Sequence, residues 1–355
     1  MEKPTRAVRR KSRGITIDEV AALAGVSPMT VSRVINGKSK VKDATRERVM
    51  RAVRKLDYTP NLAASSLAAA QHTRIALIYT NPTGAYLREL LLGLLRVASR
   101  TTIQLVSEYW DDLDAESERK AARELAKRVD GVILPPPLCE SRAAVSELVR
   151  AGVPVVAIAS GRFSDEISCV RIDDFRAGKE MAEHLIEHGH THIGFIKGRS
   201  DLSASARRFE GFQAALHEAG LALEPGLVQP GDYTYRAGLK AAEKLLSLRR
   251  MPSAIIASND DMAAAVISVA HRRGLDVPRD LSVVGFDDTS AATTVWPELT
   301  TIHQPIASMA NDAIDVLLRS IRRQEGTTRV LADHVAAHRL VVRDSVSVPP
   351  KVRRR

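Results

Sequence analysis

The chain has 355 residues, 45% of them hydrophobic, 26% charged and only 4% aromatic, with a formal net charge of +10. That length exceeds one ordinary core and implies two or three domains of globular composition. No apolar run reaches the roughly 18 residues of a membrane span. The basic opening "MEKPTRAVRRKSRG" lacks the apolar core of a signal peptide, and two cysteines, Cys139 and Cys169, make no disulfide framework. A cytoplasmic protein without a membrane partner is expected.

The charge is unevenly placed. Residues 1–72 hold 15 Lys and Arg against 6 Asp and Glu, whereas the other 283 residues hold 37 against 36. A neutral body with a basic head points to a polyanion met by the head alone.

In the head, "TIDE" at Thr16–Glu19 reads as a capping box, with Thr16 capping a helix and Glu19 returning to its backbone amide. Ile17, Val20, Ala21 and Leu23 form that helix's apolar side, and Gly25 ends it. Ser27 caps a second helix with Pro28 at its first position, where a missing N–H costs nothing. Val31, Val34 and Ile35 share one face of it, while Met29, Ser32, Arg33 and Asn36 share the other. A third helix runs from Asp43 with Val49, Val53 and Leu56 as its stripe. Helix, tight turn, helix and packing helix make a helix-turn-helix module, whose second helix would enter the major groove of double-stranded DNA. The Ala-rich "YTPNLAASSLAAAQ", from Tyr58 to Gln71, then reads as a linker helix with too little apolar bulk to stand alone.

After Thr73, strands and helices alternate. "RIALIYT", "IQLVSEYW", "DGVILPPP" and "VPVVAIAS" are strands, and from Asp174 the alternation restarts with "HIGFIKG", "SAIIAS" and "LSVVGFDD". This is the α/β pattern of two parallel-sheet lobes. Ligands of such lobes sit beyond the C-terminal ends of strands. Thr80-Asn81, Asn259-Asp260 and Asp287-Asp288 cluster there, suited to sugar hydroxyls, with Tyr86, Tyr233 and Trp296 as aromatic walls. Asp260 and Asp288 serve equally well as cap and turn residues.

These motifs resemble the lactose-repressor/galactose-repressor (LacI/GalR) family of bacterial transcriptional regulators. The matching residues are "TIDEVAALAGVSPMTVSRVING" and "TRERVMRAVRKLDYTPNLAASSLA", followed in order by "GHTHIGFIKG", "SARRFEGF", "IIASNDDMA", "LSVVGFDDT" and "LTTIHQP". The resemblance implies an N-terminal helix-turn-helix three-helix domain, a hinge helix and a two-lobed body like the periplasmic binding proteins. It implies residues 15–59 as the DNA-binding domain after a basic arm at 1–14, and 60–72 as the hinge. The N-terminal lobe would hold 73–173 with 304–332, and the C-terminal lobe 174–303 with 333–348, before a basic tail at 349–355.

By the same resemblance, Thr16, Ser27, Pro28, Met29, Thr30, Ser32, Arg33, Asn36 and Tyr58 would meet operator DNA. Leu67, beside Ala68, would wedge into the minor groove at the centre of a pseudo-palindrome. Thr80, Tyr86, Arg208, Tyr233, Asn259, Asp287 and Gln304 would line an effector pocket for a carbohydrate or derivative. Two departures stand out: Ser65 where many members carry Arg, and Ala159-Ser160 where members often carry Asp-Arg. The tail "VSVPPKVRRR" has no heptads, which favours a homodimer over a tetramer.

Other chemistries fit less well. His184 and His188 could share a helix face as metal ligands, but Gly189 breaks the helix and no Cys or Asp completes a set, so a polar helix end is expected and no metal. Paired Asp residues suit a hydrolase, yet no nucleophile elbow or phosphate loop accompanies them. The expectation is a ligand-controlled repressor with no cofactor and no enzymatic activity; a sugar-processing enzyme fused to a DNA-binding head is the alternative.

Overall fold

The computed structural model describes residues 16–35, 41–56, 58, 72–80, 84–110, 113–161, 164–322 and 330–350. The chain divides into two compact units, 1–72 and 73–355.

The first unit contains α1 (Ile17–Ala24), α2 (Pro28–Ile35) and α3 (Asp43–Lys55). The capping box forms: Thr16 N–H donates to Glu19 Oε2 at 2.6 Å, and Glu19 N–H donates back to Thr16 Oγ1 at 3.4 Å. Gly25 closes α1 at φ 62°, a left-handed conformation that glycine adopts without a Cβ clash. Val20, Ala21, Ala24, Val31, Val34, Val49 and Ala52 make the core, with Val53 and Leu56 packed at its edge. Leu23 departs from its expected place. It is 45% exposed, and Ala24 takes the buried position, because three helices of this length enclose only a narrow stripe.

In the second unit, one sheet contains β1 (Thr73–Tyr79), β2 (Ile103–Tyr109), β3 (Gly131–Leu134), β4 (Val155–Ile158), β5 (Ser168–Arg171) and a late strand, Asp333–Val335. Its order is β2-β1-β3-β4-β5 and then the late strand, all parallel. The apolar runs of β3 and β4 are buried along their whole length, as strands covered on both faces must be. Helices α4 (Ala85–Ala98), α5 (Ala115–Ala126) and α6 (Arg142–Arg150) cover the sheet, with α5 packed on α6 on one face.

The second sheet repeats the plan. Helix α7 (Asp174–Glu187) leads into β6 (Ile193–Ile196), α8 (Ser203–Glu218), β7 (Val228–Gln229), α9 (Tyr235–Leu246), β8 (Ala254–Ala257), α10 (Asp260–Arg272) and β9 (Ser282–Asp287). The short α11 (Ser290–Thr294) and β10 (Thr300–His303) follow. The order β7-β6-β8-β9-β10 matches that of the first sheet, and a final strand, Arg339–Val341, adds antiparallel to β10. Helices α7 and α8 pack together on one face, α9 and α10 on the other.

Helix α12 (Ile306–Ile321) returns the chain to the first lobe, where it packs on α4 and on β3 to β5. One expected boundary is corrected here. Asp333–Val335 is β11 and pairs with β5, so the last crossing lies at 336–338 and not at 333; β12 is Arg339–Val341. Backbone pairing from Cys169 N–H to Ala332 O and the ion pair of Arg171 with Asp333 hold β11 in the first sheet. Among the described residues no helix is long and apolar enough to cross a membrane.

Candidate effector cleft and DNA-binding head

Both sheets reverse their strand order beside their first strand, and in such sheets the crevice at the C-terminal strand ends is where ligands sit. A cavity of about 240 Å3 lies there, between the lobes. The loop after nearly every strand reaches it: Thr80 after β1, Pro136 and Pro137 after β3, Ala159 after β4, Arg199 after β6, and Asp232 and Tyr233 after β7. Asn259 follows β8, Asp287 ends β9, and Gln304 follows β10. All seven residues expected in an effector pocket therefore line one cavity.

Arg208 is the best-anchored of them. It projects from α8, which lies tight against α7: a Cβ on Gly178 would come within 2.2 Å of Arg208 O, so glycine permits the contact. The guanidinium donates from Nε to Asp174 Oδ1 at 2.8 Å and from Nη1 to Ser258 O at 2.6 Å. It stacks 3.5 Å from the centre of the Phe286 ring. Burial alone would depress its pKa, but Asp174, Tyr233 and Asp287 hold it above the usual range. Burial pushes Asp174 up while Arg208 opposes that shift, so the two remain an ion pair.

Asn259 caps α10 by accepting from Met262 N–H at 3.0 Å, and its amide donates to Tyr233 O at 2.9 Å. Asp287 accepts from Gln304 Nε2 at 2.6 Å, and burial raises its pKa far above that of a solvated carboxylate, with Arg208 opposing. Burial likewise pushes the Tyr233 phenol up to about 12. Of the three side-chain atoms buried with no hydrogen-bond partner among the described residues, two belong to residues of this cavity: the Tyr86 hydroxyl and Gln304 Oε1. The backbone is strained here too. Ala159, Tyr233 and Asp287 adopt φ of 55°, 71° and 107°, and all three line the cavity. Such costs of order 1–3 kcal/mol concentrate at functional sites.

Asp260 and Asp288 prove to be structural. Asp260 accepts from Thr289 N–H and Oγ1 and from Thr301 Oγ1, and Asp288 pairs with His303 and Arg343. Trp296 is 78% exposed and does not line the cavity, so it is no wall of this site. Asn81 lies outside the described residues. Arg199, Asp232 and Asp261 line the cavity without having been singled out in the sequence. Their signal was position, since Arg199 and Asp232 follow strands and Asp261 lies in the first turn of α10.

Three of the four clustered histidines bond within the chain, while His184 Nε2 is buried without a hydrogen-bond partner among the described residues. His190 bonds Ser253 Oγ and Ser347 O, His192 bonds Arg250 O and pairs with Glu224, and His188 bonds His184 O. Among the described residues no three His, Cys, Asp or Glu side chains group as a metal set.

In the head, Ser27 and Pro28 are exposed at the start of α2, and Met29 is 64% exposed. Ser27 Oγ accepts from Thr30 N–H at 3.3 Å and lies 3.0 Å from Thr30 Oγ1. Thr16 is exposed at the start of α1. Ser32 and Arg33 fall within α2. Tyr58 is half-buried against the head core, so part of its surface serves packing. Asn36, Leu67 and Ala68 lie outside the described residues.

A helix-turn-helix head joined to a two-lobed body with a polar cleft defines the class of ligand-responsive DNA-binding regulators. The comparisons place the chain within it. Residues 16–61 match the model of bacterial regulatory proteins of the lacI family, and residues 182–346 match the periplasmic binding protein-like domain. Catabolite control protein A of Priestia megaterium is 34% identical over 93% of this chain and 99% of that protein. A transcriptional regulator CelR–cellobiose complex superposes with a TM-score of 0.71 at 33% identity, covering 93% of this chain and 99% of that one. The lac repressor dimer bound to operator and the anti-inducer ONPF gives 0.73 at 27% identity, covering 94% of this chain and all of that one. The chain belongs to the LacI family: it is a transcriptional regulator with a DNA-binding head fused to an effector-binding body. Its named relatives are regulators, not enzymes.

Proposed function

We propose that this protein is a cytoplasmic repressor that binds a pseudo-palindromic operator as a homodimer and is controlled by a carbohydrate or carbohydrate derivative, without turning it over. The observation that carries the effector reading is the convergence of Thr80, Tyr86, Arg208, Tyr233, Asn259, Asp287 and Gln304 on one cavity at the strand ends of both lobes. Two buried polar atoms there await a partner, and sugar hydroxyls supply both donors and acceptors. Further support comes from relatives solved with cellobiose and with operator DNA.

On DNA, Thr16, Ser27, Pro28, Met29, Thr30, Ser32, Arg33, Asn36 and Tyr58 meet base edges and phosphates, and Leu67 with Ala68 wedges the operator centre. Effector binding changes the lobe arrangement and thereby whether paired hinge segments fold on DNA; the linkage is reciprocal.

The test begins with operator selection from random duplex DNA, followed by fluorescence anisotropy with and without sugars. Arg33→Ala should weaken operator binding by about 1–3 kcal/mol, roughly fivefold or more, and leave sugar binding unchanged. Asp287→Ala should do the reverse, keeping operator affinity while losing the sugar response. Operator affinity within twofold of wild type for Arg33→Ala removes α2 from the groove. Conversion of the bound sugar to a product would replace the regulator reading with the enzyme one.

A further inference from the structure

Three features of the cleft would ordinarily attract an anion, and each is already taken by an acid of this chain. Arg208 is paired with Asp174. Arg199 is paired with Asp201 through two bonds, at 3.0 and 2.6 Å. The third is the start of α8, where Leu202 and Ala204 line the cavity. The free N–H groups of a 16-residue helix offer a ready site for phosphate. Here Glu140, which ends the short 3-10 turn Leu138–Glu140 of the opposite lobe, reaches across. Its carboxylate accepts from Ser203 N–H at 3.0 and 3.1 Å and from the Ser203 hydroxyl.

The remaining wall is acidic as well. Asp232 and Asp261 line the cavity, the first accepting from Thr234 N–H at 2.8 Å. Arg88 lies near Asp261 but donates to Ser290 Oγ at 3.2 Å across the cleft. Leaving Asp287 aside, Asp232 and Asp261 line the cavity beside the two guanidinia that reach it, while Asp174, Asp201 and Glu140 hold Arg208, Arg199 and the start of α8. Among the described residues that line the cavity, an entering phosphate or carboxylate finds no guanidinium without a carboxylate partner, and the acidic side chains repel it. The buried atoms of the cavity residues without partners among the described residues, Tyr86 OH and Gln304 Oε1, are neutral.

We propose that the cleft accepts only an uncharged polyhydroxy ligand and refuses its phosphorylated and acidic counterparts, with Glu140 as the residue that enforces the refusal. The polyhydroxy part rests on the carbohydrate reading; the charge part does not.

Titration calorimetry on the full chain tests both parts separately. The probes are glucose, ribose and cellobiose, the phosphate esters of the first two, glucuronate, and inorganic phosphate. A neutral sugar should bind, and its charged partner should bind at least about tenfold more weakly. Glu140→Ala should gain about tenfold in affinity for inorganic phosphate over wild type, because the α8 N-terminus is then vacant. Glu140→Gln keeps an acceptor for Ser203 N–H and should stay close to wild type in melting temperature, with a smaller gain. Phosphate heat common to wild type and variants belongs to the basic head. A charged ester that binds as tightly as its parent sugar overturns the proposal, and so does equal phosphate affinity in wild type and Glu140→Ala. If no sugar of either kind binds while Glu140→Ala gains phosphate affinity, the carbohydrate reading fails and the charge rule stands.

Discussion

The two lobes share a strand order but bring different chemistry to the cleft. The first contributes Thr80, Tyr86, Leu87, Pro136, Pro137 and Ala159, none of which is charged. The second contributes Arg199, Arg208, Asp232, Asn259, Asp261 and Asp287. The polar groups of the second lobe are mostly held before any ligand arrives: Arg208 by Asp174 and Ser258, Asn259 by Met262 and Tyr233, Asp287 by Gln304. The first lobe presents Tyr86, whose hydroxyl has no partner among the described residues. One lobe is preorganised by its own hydrogen bonds, and the other adds a buried hydroxyl that none of them holds. Preorganisation of this kind reduces the ordering cost that a ligand must offset.

The contrast breaks most visibly at Arg208. Arg208→Met leaves Asp174 buried without its cation, and losing one partner of a buried pair costs about 3–5 kcal/mol. We expect that loss in urea unfolding of the body, together with loss of sugar binding by calorimetry. Adding Asp174→Asn should restore much of the stability and none of the binding. Full stability in the single variant would mean that the pair does not anchor the second lobe.

A second expectation concerns pH, and it belongs to the second lobe alone. Burial raises the Asp260 carboxyl from its ordinary 3.8 to about 7, against the opposing hydrogen bonds of Thr301 and Thr289. Between those values the folded chain holds a proton that the unfolded chain has lost. Its contribution is therefore full below about pH 4 and falls by up to about 1.4 kcal/mol per unit as pH rises toward 7. Asp260→Asn should flatten that part of the stability profile, measured by denaturant melts at a series of pH values. An unchanged slope would show that Asp260 titrates as it does in water.

Much of this organisation was legible in the chain itself. Thr16 with Glu19 and Ser27 with Thr30 are local devices, since a cap and its amide lie three residues apart. The seven cleft residues were legible for a different reason: strand ends are marked by the stop of an apolar run, and the resemblance selects among the residues that follow. Where partners come from distant segments, the sequence is silent. Glu140 and Ser203 meet only because two lobes face each other, 63 positions apart. Asp333–Val335 has every residue exposed, so no alternation marks it as a strand, and its sheet is set by pairing with β5. Leu23 and Trp296 show the converse, apolar residues whose exposure no periodicity announces.

Gln304 sits where the chain passes between the lobes, and its two amide atoms divide the roles. Nε2 is spent on Asp287, while Oε1 has no partner among the described residues. Gln304→Leu should strip Asp287 of its donor and cost about 1–3 kcal/mol of stability, with weaker sugar binding. Gln304→Glu supplies acceptors but no amide donor to Asp287, and adds a second carboxylate beside it. It should weaken sugar binding further, and more at high pH than at low. Calorimetry across pH would register the difference, and equal binding by both variants would take Gln304 out of the site.

The smallest effect on stability, and the sharpest use of the comparison, is expected at Tyr86. Its hydroxyl is buried, and burial raises its pKa well above the ordinary value, so it is a neutral phenol at any working pH. A buried hydroxyl without a partner carries a desolvation cost that no bond offsets in the ligand-free chain. Removing it by Tyr86→Phe leaves the ring in place and should leave the melting temperature unchanged or slightly raised. If closure brings this hydroxyl onto a sugar oxygen, the same change should weaken sugar binding by about 1 kcal/mol, roughly fivefold, the net worth of one hydrogen bond. Arg208→Met loses stability and binding together because its bonds exist before the ligand does; Tyr86→Phe should lose binding alone. A Tyr86→Phe protein that melts markedly lower would show that the hydroxyl already has a partner in the free chain. Unchanged affinity would show that the first lobe contributes shape to the cleft and no hydrogen bond from this residue.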